Sequence, residues 1–492
     1  MSRTITKQPA LLQRLRLAGQ FSLLIGVGLL ATGCSSGSST DTTSTTNTIE
    51  IRIWRMGQAP QDNNLLSRQI KSFKKKYSSA KLNIEFTPVS AATYENDALR
   101  SMAARTGPEI WSLPSDWIGD HTPRISTLPD NYFFARDKNG KVAKTGPNPV
   151  DQVRELFPAG IVEQILTTDG KRVYGIPTEV EGLMLYYNSD LYSQAVDDFR
   201  SSLGARPSVD QIKPVETILS NPPATWRDLV EQAKYLNRRS GANILRSAIA
   251  LGTADNVGPA NDILQLLMLQ NGAQVVSSDR RNALFNAPIT TPAGVKLVPG
   301  EEALKFYASF SNPDSAVYSW NSSMPQAIDA FGQGKVAMII GYGDIEQQLA
   351  IKYPRFDFDK APVPQNSLTE PAVNLIRFAV DTVTRAPKND TDKAGAFAFL
   401  NTYTEIGSVG SIAGSTGKLS PYKATLEKSG RQSAFAQQVL TGKAVYKRSR
   451  TEFDETFRQI IVDTTVNRVA PITSLNVGVE KITTILQKPD SL

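Results

Sequence analysis

The 492-residue chain reads as an α/β protein with a parallel sheet and two domains, and three features predict this. Strand-like and helix-like patterns alternate with short links between Ile49 and Leu113, which calls for crossover connections between parallel strands. About 440 residues follow the N-terminal segments, more than one hydrophobic core usually serves. An apolar content of 40% with 21% charged residues is that of an ordinary soluble globular chain.

The first residues belong to neither domain. Arg3, Lys7, Arg14 and Arg16 precede an apolar run from Leu17 to Ala31, then Thr32, Gly33 and Cys34. This is the layout of a secretory signal peptide, and a run of about 15 residues is shorter than the roughly 20 that span a bilayer. Cys34 is the one cysteine and His121 the one histidine, so no internal disulfide and no Cys/His metal cluster is expected. LLATGCSSGSST at 29–40 resembles the lipobox of bacterial lipoproteins, with Ala31 where leucine is usual. The resemblance implies cleavage after residue 33, a lipid on Cys34 as the membrane attachment, and a place on the outer face of the cytoplasmic membrane or facing a periplasm. Residues 34–48 then form a flexible Ser/Thr linker, with an end-to-end distance on the order of 20 Å.

Charge excludes one class of partner. Removing four basic residues with segment 1–33 leaves 50 basic against 47 acidic, a balance of +3, which gives a nucleic acid no electrostatic footprint. In KSFKKKY at 71–77 the lysines lie opposite Leu66, Ile70, Phe73 and Tyr77, as on a solvated helix face, and KRSR at 447–450 reads the same way.

The elements follow in order. IEIRIW at 49–54 alternates as a strand, Gln61 to Tyr77 carries a helical stripe, KLNIEF at 81–86 alternates again, Tyr94 to Arg105 is helical, and EIWSL at 109–113 is a third strand. Ligands of such sheets sit beyond the carboxyl ends of the strands, which draws notice to Arg55 and to Asp116 and Trp117. Residues 130–150 read as a loop, and GLMLYYN at 182–188 as a buried strand. Thr225 is a candidate N-cap for a helix bearing Leu229, Ala233 and Leu236. Helices over 263–269, 302–310 and 324–331 precede the strand VAMIIG at 336–341, then comes NLIRFAV at 374–380 as another buried strand and a helix over 393–405.

The order PTEVEGLMLYYNSDLY, PPATWRDLVEQAKYL, AFGQGKVAMIIGYG, KAGAFAFLNTYTE and STGKLSPYKA, with RTGPEIW at 105–111, resembles the extracellular solute-binding proteins that feed ABC importers, especially their sugar-binding branch. The resemblance runs from Ile49 to about Leu486. It implies a two-lobe periplasmic-binding-protein-like fold with a hinge and an interlobe cleft: residues 49–180 with 357–390 in an N-terminal lobe, and 181–356 with 391–492 in a C-terminal lobe. It also implies a small-molecule solute such as a sugar, ABC permease subunits as partners, no cofactor, no bound metal and a monomer.

Sugars are held by aromatic planes and by carboxylates or amides that accept from hydroxyls. Glu181 aligns with an acidic residue the family uses on ligand hydroxyls, and Glu179 shares its strand face, though both also fit a strand-end ion pair. Trp117 and Asp116 suit either a ligand or a cap on the lobe's own core. Trp320 in YSWN lies where the family often has an aromatic, and core packing is its alternative. Where many carbohydrate binders carry a tryptophan after the AM strand, this chain has Tyr342, Gly343 and Asp344; Tyr342 suits stacking and Asp344 a cationic or amino-substituted ligand. Arg55 and Asn374 are further strand-end candidates, or plain surface residues.

The expected function is a lipid-anchored binding protein, not an enzyme. Two alternatives stand beside it: an envelope lipoprotein with a scaffold or adhesion role, and a glycoside hydrolase using Glu179 with Glu181 or Asp116. Neighbouring strand carboxylates rarely flank one bond. The lone His121, placed in a loop, supports no Ser/His/Asp set, and no phosphate-cradling Gly-Lys motif is present.

Overall fold

The computed structural model describes residues 48–56, 63–78, 81–134, 143–241, 243–291, 294–403, 406–430 and 433–489. The leader, Cys34 and the linker to Asn47 lie outside them.

Thirteen strands fall, in chain order, at Ile49–Met56 (β1), Leu82–Val89 (β2), Ile110–Pro114 (β3), Ile125–Ser126 (β4), Gly175–Gly182 (β5), Met184–Tyr187 (β6), Arg238–Ser240 (β7), Asn243–Ile249 (β8), Ile289–Thr290 (β9), Lys296–Leu297 (β10), Val336–Gly341 (β11), Asp359–Pro362 (β12) and Ile376–Thr384 (β13). They build two main sheets and a short β9–β10 ladder. The first runs β2-β1-β3-β13-β4, with β5 also paired to β13; the second runs β12-β6-β11-β8-β7.

The expected crossovers are present. β1 pairs in parallel with β2, from Ile49 opposite Leu82 to Met56 opposite Val89, and in parallel with β3. Alternation on β1 buries Ile49, Ile51 and Ile53, as one covered face requires. The helix Asn63–Lys76 turns Phe73 inward, 5.1 Å edge-on from Phe399, and leaves Lys71, Lys74 and Lys75 exposed. In the second sheet β11 is buried throughout and lies parallel to β8 and antiparallel to β6. The helix Trp226–Leu236 starts at Thr225, which forms a capping box with Asp228 and buries Leu229, Ala233 and Leu236.

Each sheet has its own core. Residues of 183–363 pack with Phe453, Phe457, Leu475 and Ile482 from the last two helices, Arg450–Thr465 and Pro471–Leu486. The helices between 390 and 440 differ from their expected grouping with the second lobe. Phe399, Leu400, Val409, Leu426 and Val439 join Ile51 and Trp111 in the first core. An apolar helix face tells that a sheet covers it, and either sheet satisfies that demand. Residues 359–362, expected with the first lobe, pair instead with β6 of the second sheet.

The chain passes between the sheets at three places that lie side by side. Leu183 N donates to Leu375 O (3.3 Å), Ile376 N to Lys443 O (2.9 Å), and Lys443 N to Asn374 O (2.9 Å). Gly182 is required there, because a Cβ would stand 2.8 Å from Asn374 Nδ2. His121, expected in a loop, closes the short helix Ile118–His121, buried against Trp111 with Nε2 3.0 Å from Glu95 Oε1.

Candidate functional site

The polar residues that converge between the sheets come from strand ends beside these crossings. Glu179 and Glu181 sit on one face of β5, and the β5–β13 register sets Glu181 opposite Arg377. Arg377 Nε donates to Glu181 Oε1 at 2.8 Å and Nη2 to Asp344 Oδ1 at 3.1 Å. Its guanidinium carbon lies 3.7 Å from the centre of the Tyr342 ring. Gly343 N donates to Glu181 Oε2 at 3.2 Å. Glu181 and Arg377 belong to the first sheet, whereas Tyr342 and Asp344 follow β11 of the second, so this cluster joins both.

Lys418, just after the helix Ile406–Ser415, completes it. Its Nζ is 2.7 Å from Glu179 Oε1 and 3.4 Å from Glu181 Oε1, and Thr416 Oγ1 donates to Glu179 Oε2 at 2.8 Å. Burial works against the Glu179 charge, yet Lys418 and Thr416 outweigh it and hold this carboxyl below its usual range. Burial likewise opposes the Lys418 ammonium, and Glu179 with Glu181 raises it above its ordinary value.

A second group lies beside the first. Tyr342 Oη donates to Asp262 Oδ2 at 3.0 Å, and Asp262 Oδ1 is 3.6 Å from Lys447 Nζ, which also holds Asp454 Oδ1 at 2.7 Å. Asp116, Asp262, Lys447, Asp454 and Arg458 line a cavity of about 200 Å³. Burial pushes the Asp116 carboxyl up, with Lys447 and Arg450 opposing. Above it, Arg450 places its guanidinium carbon 4.2 Å from the Trp117 ring centre.

Glu179, Glu181, Tyr342 and Asp344 thus meet in one cluster, Asp116 borders the adjoining cavity, and Trp117 lies against Arg450. Three expectations differ. Trp320 is fully buried in the second core, its indole N–H donating to Asn256 Oδ1 at 3.1 Å, so no solute reaches its face. Asn374 is fully buried as well; its Nδ2 donates to Leu183 O (2.9 Å) and Gln438 Oε1 (3.2 Å), which ties two crossing segments together. Arg55 forms an ion pair of 2.6 Å with the buried Asp381 and adds to the positive charge that holds the Glu179 carboxyl down.

Arg377, Lys418, Asp262, Lys447 and Arg450 were not singled out from the sequence. KRSR is no solvated face: Lys447 is buried among carboxylates, and Arg450 joins Trp117 with Glu95. A signal existed for Arg377, since a charge inside the apolar run NLIRFAV is costly unless paired. Among the described residues no group of three or more His, Cys, Asp or Glu is placed to hold a metal ion, and no helix is long and apolar enough to cross a membrane.

Residues 68–425 match the family model described as bacterial extracellular solute-binding protein. Among solved structures, the cyclic alpha-maltosyl-1,6-maltose binding protein of Arthrobacter globiformis is 18% identical, with 90% of this chain and 100% of that one covered and a TM-score of 0.63. The sugar-binding protein MalE of Xanthomonas citri is 16% identical over 89% of this chain and 97% of its own, at 0.61. An ABC transporter solute-binding protein of Thermotoga lettingae, bound with alpha-D-tagatose, is 16% identical over 89% and 99%, at 0.57.

Proposed function

The chain belongs to the bacterial extracellular solute-binding proteins, a family of binding proteins rather than enzymes, and from that membership we propose that it captures a sugar or oligosaccharide between its two sheets and delivers it to ABC permease subunits. The observation that carries this reading is the meeting of Glu181 and Arg377 of the first sheet with Tyr342 and Asp344 of the second beside the three crossings. A ligand touching both sides couples its binding to the relative position of the lobes, which a permease can read. Two of the structures named above are of sugar-binding proteins and the third holds alpha-D-tagatose, and that similarity supports the sugar class.

The lobes of this reading follow the cores. The first takes residues 49–182 and 376–440, the second 183–375 and 441–489. Cys34 carries the lipid that retains the protein at the membrane, and Ser35 to Thr48 is its tether. A Cys34→Ser variant then leaves the membrane fraction and appears in the soluble one; retention of that variant at the membrane overturns the anchor.

The solute reading is tested by thermal shift of residues 35–492 against mono- and oligosaccharides, amino sugars, polyamines and short peptides. A ligand at a hundredfold excess over Kd stabilises the folded state by about 2.7 kcal/mol. A selective rise with a saccharide is the expected result, and a flat response across the whole panel overturns it.

A further inference from the structure

The two carboxylates best placed to accept from sugar hydroxyls are covered by cations. Glu179 and Glu181 side chains are only 10% and 7% exposed, whereas Lys418 and Arg377 above them are 33% and 44% exposed. A solute entering between the sheets at this point meets the cation heads. Both cations sit on the same oxygen, Glu181 Oε1, at 3.4 and 2.8 Å, so two positive groups converge on one spot.

Arg377 is also held as an anion receptor would be. Tyr342 supports one face of the guanidinium, and Glu181 fixes the Nε edge from behind. Nη2 meets Asp344, whose side chain is 56% exposed, and among the described residues Nη1 has no protein acceptor within hydrogen-bond distance. Exposed ion pairs contribute little, so Asp344 is readily exchanged for another carboxylate. A planar fork immobilised in this way suits bidentate binding of a carboxylate.

From these contacts we infer that the solute carries a carboxylate, which replaces Asp344 on Arg377 and is shared with Lys418. The inference rests on the reading of this cleft as the solute site and narrows it to acidic saccharides of the uronate type. It reverses the expectation that Asp344 selects a cation, because Asp344 already has a cation of its own chain. The aromatic faces agree: the Tyr342 face is covered by Arg377 and the Trp117 face by Arg450, which leaves recognition here to charge and hydrogen bonds.

The test pairs each acid with its uncharged form on the full mature chain. Trigalacturonate, diglucuronate and their methyl esters are compared with maltotriose, glucosamine and succinate by thermal shift, and hits are followed by calorimetry. The expected result is a response to an acid that its ester lacks. Arg377→Met weakens that acid about 10- to 100-fold, the range of a hydrogen bond to a charged group. Asp344→Asn, on the exposed side, removes the internal competitor and tightens the acid severalfold, which keeps the test decisive even if Arg377→Met fails to fold. A response to succinate as strong as to the uronates keeps the carboxylate and removes the sugar. Equal binding of acid and ester, or responses confined to maltotriose or glucosamine, overturns the carboxylate while the solute-binding reading stands. Silence of every compound overturns both.

Discussion

Arg450 lies with its guanidinium carbon 4.2 Å from the Trp117 ring centre while its Nη2 reaches Glu95 Oε2 at 3.2 Å. Trp117 follows β3 of the first sheet, and Arg450 opens a helix that packs in the second core, so the pair bridges the two bodies. Asp120 reinforces it by accepting from the backbone N–H of Ser449 and Arg450, which places a carboxylate at that helix start. Removing the guanidinium therefore loosens the bridge and exposes the indole. Arg450→Ala is expected to cost about 1 kcal/mol, within the range for a partly desolvated cation–π contact, and to shift tryptophan emission to the red. Unchanged emission and an unchanged urea midpoint count against the bridge.

Glu179 predicts a pH signature. Its folded pKa lies below the unfolded one, so its stabilisation is fully present above the ordinary glutamate pKa and is lost as pH falls through the depressed folded value. Glu179→Gln is expected to lower Tm at pH 7, by the equivalent of about 1–3 kcal/mol for the lost charge-assisted hydrogen bonds, with the gap to the parent narrowing as pH falls through the depressed folded value. Parallel Tm curves from pH 3 to 8 contradict this assignment.

Asp116 predicts the opposite sign. Burial raises its folded pKa above the unfolded one, so its ionised form weakens the fold at neutral pH and ceases to do so once pH falls below the ordinary aspartate pKa. Asp116→Asn should raise Tm at pH 7 with a gain that fades toward pH 3. A loss of Tm at pH 7 would mean that Lys447 and Arg450 dominate this carboxylate.

Trp320 separates packing from recognition. The side chain is fully buried, so Trp320→Ala should cost about 3–5 kcal/mol in urea unfolding. Trp320→Phe keeps most of the volume, loses the bond to Asn256 and should leave solute affinity within twofold. A large change in affinity with an unchanged urea midpoint would return Trp320 to the cleft.

Gly182 tests the crossing. A methyl group there meets the Asn374 amide, which is buried and bonded to two other segments, so Gly182→Ala should cost about 1–3 kcal/mol as an overpacked site. Gly170, with open space around it and φ of +70°, serves as the control, since alanine there meets backbone strain alone. A Gly182→Ala penalty no larger than that of Gly170→Ala removes the special role of the crossing.

Much of the architecture is legible in the sequence. The alternation in IEIRIW, the Thr225 cap and the apolar run VAMIIG each report a local periodicity, and each became the element it announced. Glu181, Tyr342 and Asp344 come from the family resemblance and Glu179 from sharing a strand face with Glu181, whereas the rule that ligands sit beyond strand ends points to Arg55, Asp116 and Trp117. Trp320, expected from the family's usual aromatic, and Asn374, expected as a strand-end residue, both turn inward, because a side chain at such a position can face the core as well as the ligand side and only the packing around Asn256 and Gln438 shows which. Arg377, Lys418 and Lys447 escaped because their partners lie 196, 239 and 185 positions away in the chain, at Glu181, Glu179 and Asp262.

The sequence by itself determined the elements, their α/β class and the family, since backbone periodicity, caps and turns act over a few residues and survive low identity. Tertiary structure alone decided which sheet the helices of 390–440 cover and which cation faces each carboxylate. Apolar burial is non-directional and accepts either sheet, while an ion pair at 2.7–2.8 Å depends on where two distant strands and a loop come to rest.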